Sequence, residues 1–417
     1  MFSHPALPRT LGTPDAVIIG LGSMVGAGVF AAFTPAAQAA GNGLLVGLLV
    51  AAIVAGCNAL ASAQLAATYP TSGGTYVYGR EQLGHWWGFF AGWSFVIGKT
   101  ASCAAMALTF ANYAAPAGWE KPMALTAVIA LAAVNYRGVT RTARLARIIV
   151  VLVFVALAIA VAAAGAAGLP SLTNIDPASL VAAGPYGVLQ TAGLLFFAFA
   201  GYARIATMGE EVREPARTIP RAIVIALAIA ILVYAVVAVT LLGTLGADGL
   251  AASRAPLRDA AIAGGWLWAS PVVTVGAALA SLGALLALMA GVGRTSLAMA
   301  READLPRWLS AVHPRFHVPH RAEVVLAVIV GVLVLTIDVR GAIGFSSFGV
   351  LLYYVIANAS ALSQSKAHRR FPRAVFWVGA AGCLALVVTL PLAAVIGGVI
   401  VLGIGIVYRA IRLQIAR

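Results

Sequence analysis

The chain has 417 residues, of which 62% are hydrophobic and 10% charged, and its formal net charge is +14. A water-soluble protein carries about 25% charged residues, because its surface must interact with water. The composition therefore excludes a soluble globular protein and indicates that most of the chain lies in lipid. Cys57, Cys103 and Cys383 all fall in apolar stretches without metal-site spacing, and we interpret them as small core residues.

Apolar stretches of about 20 residues, the length that a helix needs to cross a ~30 Å hydrocarbon core, recur along the chain. We predict twelve membrane-spanning helices, at residues 14–37, 43–68, 86–115, 122–136, 147–168, 187–209, 220–245, 267–294, 323–338, 342–362, 374–391 and 392–411. The last two share one apolar run that Pro391 divides, so eleven helices are the alternative. The residues before the first helix lack the apolar core of a signal peptide, and we expect that helix to be retained.

The basic residues are distributed unequally between the two sides of the predicted helices. With the N-terminus inside, the inner segments carry 21 arginines and lysines and the outer segments carry four, which are Lys121, Arg254, Arg258 and Arg340. This bias predicts cytoplasmic N- and C-termini, and it accounts for the net charge without a nucleic acid partner. We expect the inner arginines of residues 141–147 and 366–373 to contact anionic lipid. The excess of arginine over lysine and the abundance of alanine are typical of a GC-rich bacterial genome. We therefore expect a multi-pass protein of the bacterial cytoplasmic (inner) membrane.

The first predicted helix contains the sequence GLGSMVGAGVF (20–30), in which four glycines interrupt an apolar run. Each glycine destabilises a helix interior by roughly 1 kcal/mol relative to alanine. A dinucleotide fingerprint at 26–31 is disfavoured, since neither a preceding strand nor an acid about 20 residues later is present. The remaining interpretations are a helix-packing face formed by Gly22 and Gly26, and a discontinuous helix whose free amides line a cavity.

The sixth predicted helix has a similar feature in LLFFAFAGYARIATMGEE (194–211), where Gly201 lies near mid-membrane. Paired interruptions in the first helices of two five-helix halves are expected of an inverted repeat with a midplane substrate site. The N-terminus of a half-helix presents free N–H groups that suit a carboxylate, whereas free carbonyls suit an ammonium group. The pair therefore favours discontinuous helices and a zwitterionic amino acid as the substrate.

Four segments resemble, in the correct order, motifs of the amino acid–polyamine–organocation (APC) superfamily of transporters. They are GLGSMVGAGVF (20–30), YPTSGGTYVYGREQLG (69–84), FFAFAGYARIATMGEEVREPARTIPRAI (196–223) and GVGRTSLAMAREADLPRWLSAVHPRFHVPHRA (291–322). The resemblance implies an all-α membrane protein with a five-plus-five inverted repeat, discontinuous helices 1 and 6, and alternating access. On this basis residues 1–168 and 187–362 form the two repeats, and residues 374–417 form two additional helices.

The resemblance also implies which residues bind the substrate. Backbone groups of the first interruption would receive its carboxylate, and these belong to Ser23, Met24, Gly26, Ala27 and Gly28. Carbonyl groups of the sixth helix would hold its α-amino group, around Phe197, Ala198 and Ala200. Phe197 matches the position of an aromatic gate over the substrate, and Tyr202 is the next aromatic residue of the helix.

Two positions differ from the pattern of the family. Many members carry an acid two residues after the glycine of the sixth helix, where this chain has Ala203. Proton-coupled members often carry a lysine in helix five, where this chain has Val153. We therefore do not expect proton coupling through the usual residue.

Lys99 and Arg204 lie well inside predicted spans, whereas all 13 acids and all six histidines map to loops or span ends. A charged residue inside the membrane is costly, so it is treated first as a functional hypothesis. Lys99 is the carrier of a coupling proton, a fixed amine in place of a bound cation, or a structural cap on the carbonyls of a broken helix. Arg204 either forms an ion pair with Glu211, two helical turns away, or places a fixed positive charge at the site.

These observations predict a secondary transporter of amino acids, and we favour neutral or apolar ones because the pocket contains two cations and no buried acid. The alternatives are an exporter or exchanger, or a transporter of related amines or anionic metabolites. The absence of a Walker motif disfavours transport that is driven directly by ATP hydrolysis. No cofactor or metal is expected. An enzyme is disfavoured because acids and histidines are missing from the spans, and a channel is disfavoured by the single-chain repeat. We expect a monomer or a homodimer.

Overall fold

The computed structural model describes residues 11–71, 73–138, 143–166, 177–209 and 211–415. Within these ranges the chain is almost entirely helical, and the strand-like pairing is limited to an isolated bridge between Leu11 and Val212. The prediction of an all-α membrane protein is therefore confirmed.

The α-helices of these ranges follow one another in chain order. They are α1 (Thr13–Met24), α2 (Ala27–Ala31), α3 (Phe33–Ala40), α4 (Leu44–Thr68), α5 (Gly74–Leu83), α6 (His85–Ala114), α7 (Glu120–Tyr136), α8 (Ala143–Gly165), α9 (Gly184–Phe199), α10 (Ala203–Ala206), α11 (Pro215–Ala252), α12 (Pro256–Ala263), α13 (Ala269–Arg301), α14 (His320–Thr336), α15 (Val339–Ser363), α16 (Arg373–Thr389) and α17 (Leu392–Ile415).

Each predicted span coincides with one of these helices or with a broken series of them. The first span corresponds to α1, α2 and α3, and the sixth to α9 and α10, whereas α5 and α12 lie outside the predicted spans. Nine helical segments of the described ranges are long and apolar enough to cross a membrane. The helices α7, α14 and α16, with 17 residues each, account for the other predicted spans. Pro391 separates α16 from α17, as the prediction of twelve helices requires.

The long helices alternate in direction, so their ends form two opposite faces of the bundle. We call one face the arginine-rich end, because it carries the ion pair of Arg80 with Glu302 and the basic segment 366–373. The opposite face, the arginine-poor end, carries the ion pair of Arg254 with Glu120 at 2.8 Å.

Helices α6 and α15 pack backbone against backbone where two glycines face each other. A Cβ atom on Gly349 would lie 2.6 Å from the Ser94 carbonyl oxygen and 2.7 Å from the Gly98 Cα. Small residues allow this approach, which drives helix association in lipid through van der Waals contact. The buried hydroxyls of Ser102 and Ser346, 2.6 Å apart, join the same two helices. This contact fixes the position of α6, which carries Lys99.

A second polar contact joins α4, α15 and α16 in the apolar interior. Asn358 donates to Asn58 at 2.6 Å, and Asn58 donates to the Cys383 sulfur at 3.1 Å. Gln64 donates to Gln364 at 2.7 Å nearer the arginine-rich end. Cys383 is a small core residue, as predicted, and it is also a hydrogen-bond partner.

We expect Gly349→Ala to lower the midpoint of thermal unfolding in detergent, because overpacking a close contact costs about 1–3 kcal/mol. The matched control is Gly56→Ala in α4, where a Cβ atom would meet nothing within 4 Å. If the two variants unfold at the same temperature, the close contact between α6 and α15 is wrong.

Candidate functional site

The first membrane helix is interrupted between α1 and α2. Val25 and Gly26 separate the two, and Gly26 has a non-helical ψ of −130°. The hydrogen-bond ladder stops there, so the first N–H groups of α2 lack partners within the helix. Ala32 then connects α2 to α3 with helical dihedral angles. The prediction of a discontinuous first helix is confirmed.

The helix-packing interpretation of the same glycines also describes part of the structure. A Cβ atom on Gly22 would lie 2.8 Å from a methyl carbon of Val150 in α8. One on Gly26 would lie 3.0 Å from the Gly22 carbonyl oxygen and 3.2 Å from the Ala284 Cβ in α13. The glycines therefore permit both the interruption and the close packing around it.

The sixth membrane helix is interrupted by a change of helix type. α9 ends at Phe199, residues Ala200–Tyr202 form a 3-10 turn, and α10 continues from Ala203. Because the turn keeps helical dihedral angles, this interruption is a tightened turn rather than an extended gap.

The two interruptions are in direct backbone contact. A Cβ atom on Gly201 would overlap the Ser23 carbonyl and lie 2.6 Å from the Met24 nitrogen. A Cβ atom on Gly28 would lie 2.7 Å from the Ala198 Cα. The predicted carboxylate-binding and amine-binding segments thus meet in space, although about 170 residues separate them in sequence.

Tyr234 of α11 joins the two interruptions, and the sequence analysis missed it. Its hydroxyl oxygen lies 2.6 Å from the Met24 carbonyl oxygen and 2.9 Å from the Ala198 carbonyl oxygen. Its ring is buried and packs edge-on against Phe199, with the ring centroids 4.9 Å apart. The available signal was a single tyrosine in the otherwise aliphatic seventh span.

Lys99 reaches the sixth-helix turn from α6. Its ammonium group donates to the Ala200 carbonyl oxygen at 3.4 Å, and the residue is buried. This is the geometry of the carbonyl cap that the sequence offered as one of three interpretations. Lys99 and Tyr234 therefore bind carbonyls two residues apart, at Ala200 and Ala198, from two different helices.

The predicted aromatic residues lie in different environments. Phe197 is buried in a cluster that includes Ala27 and Ala31 of α2, close to the first interruption. The Tyr202 ring packs against Tyr354 of α15, with centroids 5.2 Å apart, and its buried hydroxyl has no partner among the described residues. Phe197 therefore packs against α2, whereas Tyr202, the last residue of the 3-10 turn, packs against α15.

Ser23 contributes only its backbone to this meeting point, because its hydroxyl donates to the Ile19 carbonyl oxygen at 3.1 Å. Arg204 lies towards the arginine-rich end, where its guanidinium is 3.5 Å from the Glu211 carboxylate. This matches the predicted ion pair. Its side chain is 41% exposed, and Glu210, which precedes Glu211 in the sequence, lies outside the described residues.

Asp304 and Glu323 lie in a loop and at a span end, as predicted, and the folded chain buries both, leaving them 8% and 4% exposed. Both lie at the arginine-rich end, where the segment after α13 folds back against the helices. Hydropathy assigns such residues to span ends because it does not register that packing. Neither residue is within hydrogen-bonding contact of the two interruptions among the described residues.

Asp304 belongs to a cluster that ties α17 to the rest of the arginine-rich end. It accepts a hydrogen bond from Tyr76 at 2.9 Å and pairs with the buried Arg409. The Arg409 guanidinium lies over Phe89 at 4.7 Å and over Trp86 at 5.0 Å. Burial raises the pKa of Tyr76, and the Asp304 carboxylate raises it further, so the phenol remains a donor.

Helix α5 closes the arginine-rich end over the sixth helix. The Tyr78 hydroxyl donates to the Ala206 carbonyl oxygen at 3.3 Å. The Thr75 backbone N–H donates to the Tyr353 hydroxyl at 3.0 Å. The described residues on this side are therefore held together by contacts between α5, α10 and α15.

The arginine-poor end, in contrast, contains a cavity of about 550 Å³. It is lined by the outer part of the first membrane helix, including Phe30, Thr34 and Gln38, and by the facing ends of α6, α7 and α15. Among the described residues, the cavity therefore lies at the arginine-poor end, whereas α5 covers the sixth helix at the arginine-rich end.

A second, much smaller cavity of about 10 Å³ adjoins the first interruption. It is lined by Gly26, by Val153 of α8 and by Ala280 and Ala284 of α13, with other apolar side chains around them. This is about the space that one water molecule needs. Val153, the position of the lysine in proton-coupled relatives, therefore faces the interruption with an apolar group.

The known proteins that this chain resembles are amino acid permeases and other transporters. The family model described as amino acid permease matches residues 11–414. An uncharacterized transporter of Mycobacterium tuberculosis is 58% identical over 414 residues, which is 99% of this chain and 93% of the relative. The branched-chain amino acid permease BcaP of Bacillus subtilis is 25% identical over 88% of this chain and 83% of its own length. The chloroplastic cationic amino acid transporter 7 of Arabidopsis thaliana is 28% identical over 86% and 66%.

We expect Tyr234→Phe to destabilise the protein by about 1–3 kcal/mol, because it leaves two buried carbonyl groups without their donor. A fall in the thermal unfolding midpoint would measure the loss. Tyr186→Phe, at an exposed tyrosine of α9, is the control and is expected to leave the midpoint unchanged. Equal midpoints for the two variants would contradict the bridging role of Tyr234.

Proposed function

The chain belongs to the amino acid permease family of the APC superfamily and is a multi-pass membrane transporter rather than an enzyme, and on this basis we propose that it moves neutral, apolar amino acids by alternating access. The membrane would be the bacterial cytoplasmic (inner) membrane. The observation that carries the proposal is the backbone contact of the two helix interruptions at Gly201.

The substrate carboxylate would bind the free N–H groups at the start of α2, in the segment Gly26–Gly28. The positive end of the helix dipole favours an anion there. The α-amino group would bind carbonyl oxygens of Phe197, Ala198 and Ala200. The Ala198 carbonyl oxygen accepts one hydrogen bond from Tyr234, and the Ala200 carbonyl oxygen accepts one from Lys99. A carbonyl oxygen can accept two hydrogen bonds, so each of these oxygens can accept another from the substrate.

A neutral side chain is favoured by the charges around this site. The substrate's α-amino group is balanced by its own carboxylate, whereas a basic side chain would add an uncompensated positive charge near Lys99 at the sixth-helix turn, where water is scarce. The buried acids Asp304 and Glu323 lie at the arginine-rich end and offer no counter-charge to a basic substrate. The name of the Bacillus subtilis relative agrees with a branched-chain substrate, whereas the plant relative is named for cationic amino acids.

We assign the arginine-rich end to the cytoplasm, because basic residues accumulate on that side of membrane proteins. Both termini would then be cytoplasmic, and the cavity of about 550 Å³ would face outward. Residues 1–168 and 187–362 would form the two inverted repeats, each beginning with an interrupted helix, and residues 374–417 the additional pair. The oligomeric state is proposed as a monomer or homodimer.

Of the three interpretations of Lys99, we favour the fixed amine that replaces a bound cation and caps the Ala200 carbonyl. The hydrogen bond between them supports this role. The small apolar cavity beside Val153 supports the absence of a second amine or cation there. The export and exchange alternatives differ from import only in which gradient the protein uses.

Counterflow in proteoliposomes tests the proposed substrate class. With labelled leucine outside and unlabelled leucine inside, we expect saturable uptake that isoleucine, valine and methionine inhibit strongly and arginine and lysine inhibit weakly. Protein-free liposomes are the control, and a parallel series with a pH gradient reports on protons. Stronger inhibition by arginine than by valine would contradict the neutral class, and the absence of saturation would contradict a carrier.

The variant Lys99→Ala tests the role of the buried amine. We expect counterflow to fall about tenfold or more, the loss of about 1.4 kcal/mol of interaction, while the shape of its pH dependence stays that of the unmodified protein. Lys366→Ala, at an exposed lysine of the arginine-rich end, should change neither. A lost pH dependence in Lys99→Ala would instead identify Lys99 as a proton carrier.

A further inference from the structure

Glu323 is a buried acid that takes no part in the proposed transport site. It lies in the first turn of α14 and is 4% exposed. Its Oε2 atom has no hydrogen-bond partner among the described residues, and no basic group of those residues lies within ion-pair distance of it. Burying an ionised carboxylate without a partner is unfavourable, so this environment favours the protonated, neutral carboxyl group.

The close neighbour of Glu323 on α13 is a glycine. A Cβ atom on Gly293 would lie 3.1 Å from the Glu323 Cγ and 3.7 Å from its Oε1. The next residue of α13, Arg294, is exposed and acts on the carboxylate electrostatically without forming an ion pair with it. The glycine therefore provides space for the carboxyl group, and the arginine brings a positive charge near it from the water-accessible side.

Among the residues that the structure describes, the other elements packed around α14 at this end bring no acid to Glu323. On its own first turn, His320 packs against Tyr136 of α7, with ring centroids 6.1 Å apart. Arg321 turns away to donate to the Trp308 carbonyl oxygen at 3.3 Å. Helix α6 contributes apolar side chains such as Phe89 to the cluster around Ala322. Arg294 is therefore the charge whose position controls the carboxylate.

Arg294 also connects Glu323 to the closed end of the sixth helix. It interacts electrostatically with Arg204 of α10, which pairs with Glu211. α10 belongs to the interrupted helix that alternating access would move, whereas α13 and α14 pack together in another part of the bundle. A movement of α10 therefore changes the charge near Arg294, and Arg294 in turn acts on Glu323.

We propose that Glu323 is a proton-binding site whose occupancy controls the opening of the arginine-rich end. In the closed form seen here the carboxyl group is buried and holds its proton. When the end opens, the O–H bond breaks, the proton passes to water, and the carboxylate remains beside Arg294. Because protonation and conformation are linked reciprocally, protons bound at Glu323 stabilise the closed form.

The sign of the pH effect follows from this linkage. Acid protonates Glu323, favours the closed arginine-rich end and slows counterflow, which requires that end to open. If the two forms differ about tenfold in proton affinity, full protonation shifts the equilibrium between them by about tenfold. This inference rests on the proposed transport function only through the use of counterflow as a readout.

The test compares Glu323→Gln with Glu81→Gln, an exposed glutamate at the same end of the molecule, in counterflow of labelled leucine between acid and neutral pH. We expect Glu81→Gln to keep the acid inhibition of the unmodified protein. Glu323→Gln, which is permanently neutral, should be slow and independent of pH. Arg294→Gln should move the midpoint of inhibition to higher pH, because the carboxylate loses its nearby positive charge. If Glu323→Gln keeps the acid inhibition, the inference is wrong.

Infrared difference spectra of the protein in lipid, recorded between acid and neutral pH without substrate, provide the second readout. We expect a band of a protonated carboxyl group that is present in Glu81→Gln and missing from Glu323→Gln. Identical spectra for the two variants would overturn the inference. The infrared comparison decides the question even if Glu323→Gln is too unstable to be assayed for transport. A lack of leucine counterflow in the unmodified protein would count against the proposed function and would leave the infrared result valid.

Discussion

Backbone carbonyl and N–H groups that a helix interruption exposes inside a membrane must find partners within the protein, because lipid offers none. Tyr234 and Lys99 meet this requirement at the two interruptions, where they bind the carbonyls of Met24, Ala198 and Ala200. Their presence permits the two interruptions to exist side by side. The N–H groups at the start of α2 lack partners within the helix, and this is where we propose that the substrate carboxylate binds.

The packing of the other helices holds these two donors in position. Lys99 comes from α6, which is fixed against α15 by Gly98 and Gly349 and by the hydroxyl contact of Ser102. Tyr234 comes from α11, which packs along the first membrane helix and α4. The donors therefore belong to different groups of helices. A relative movement of these groups would exchange one set of hydrogen bonds for another, and this is what an alternating-access cycle needs.

The sequence predicted the helices well because hydropathy and helix length are local properties. It also located the interruptions, since clustered glycines weaken a helix at the place where they occur. Tyr234 escaped prediction because its partner Met24 is 210 residues away, and a single tyrosine in an apolar span gives no indication of its contacts. The burial of Glu323 and Asp304 was not predicted either. Their local sequence is typical of loops and helix ends, and only the folded chain covers them. The pairing of Arg204 with Glu211 was predicted from helical spacing, but α10 ends at Ala206, and the segment after it brings Glu211 to the guanidinium.

The pairing of Asp304 with Arg409 has a consequence for the order in which the protein is made. The two residues are 105 positions apart, and synthesis adds about 5–20 residues per second. Asp304 therefore waits roughly 5–20 seconds after its own synthesis before Arg409 exists. During that interval the acid of the segment after α13 lacks its basic partner and remains hydrated at the membrane surface. The arginine-rich end is thus completed only once α17 has left the ribosome, and a nascent chain that stops short of α17 lacks this contact.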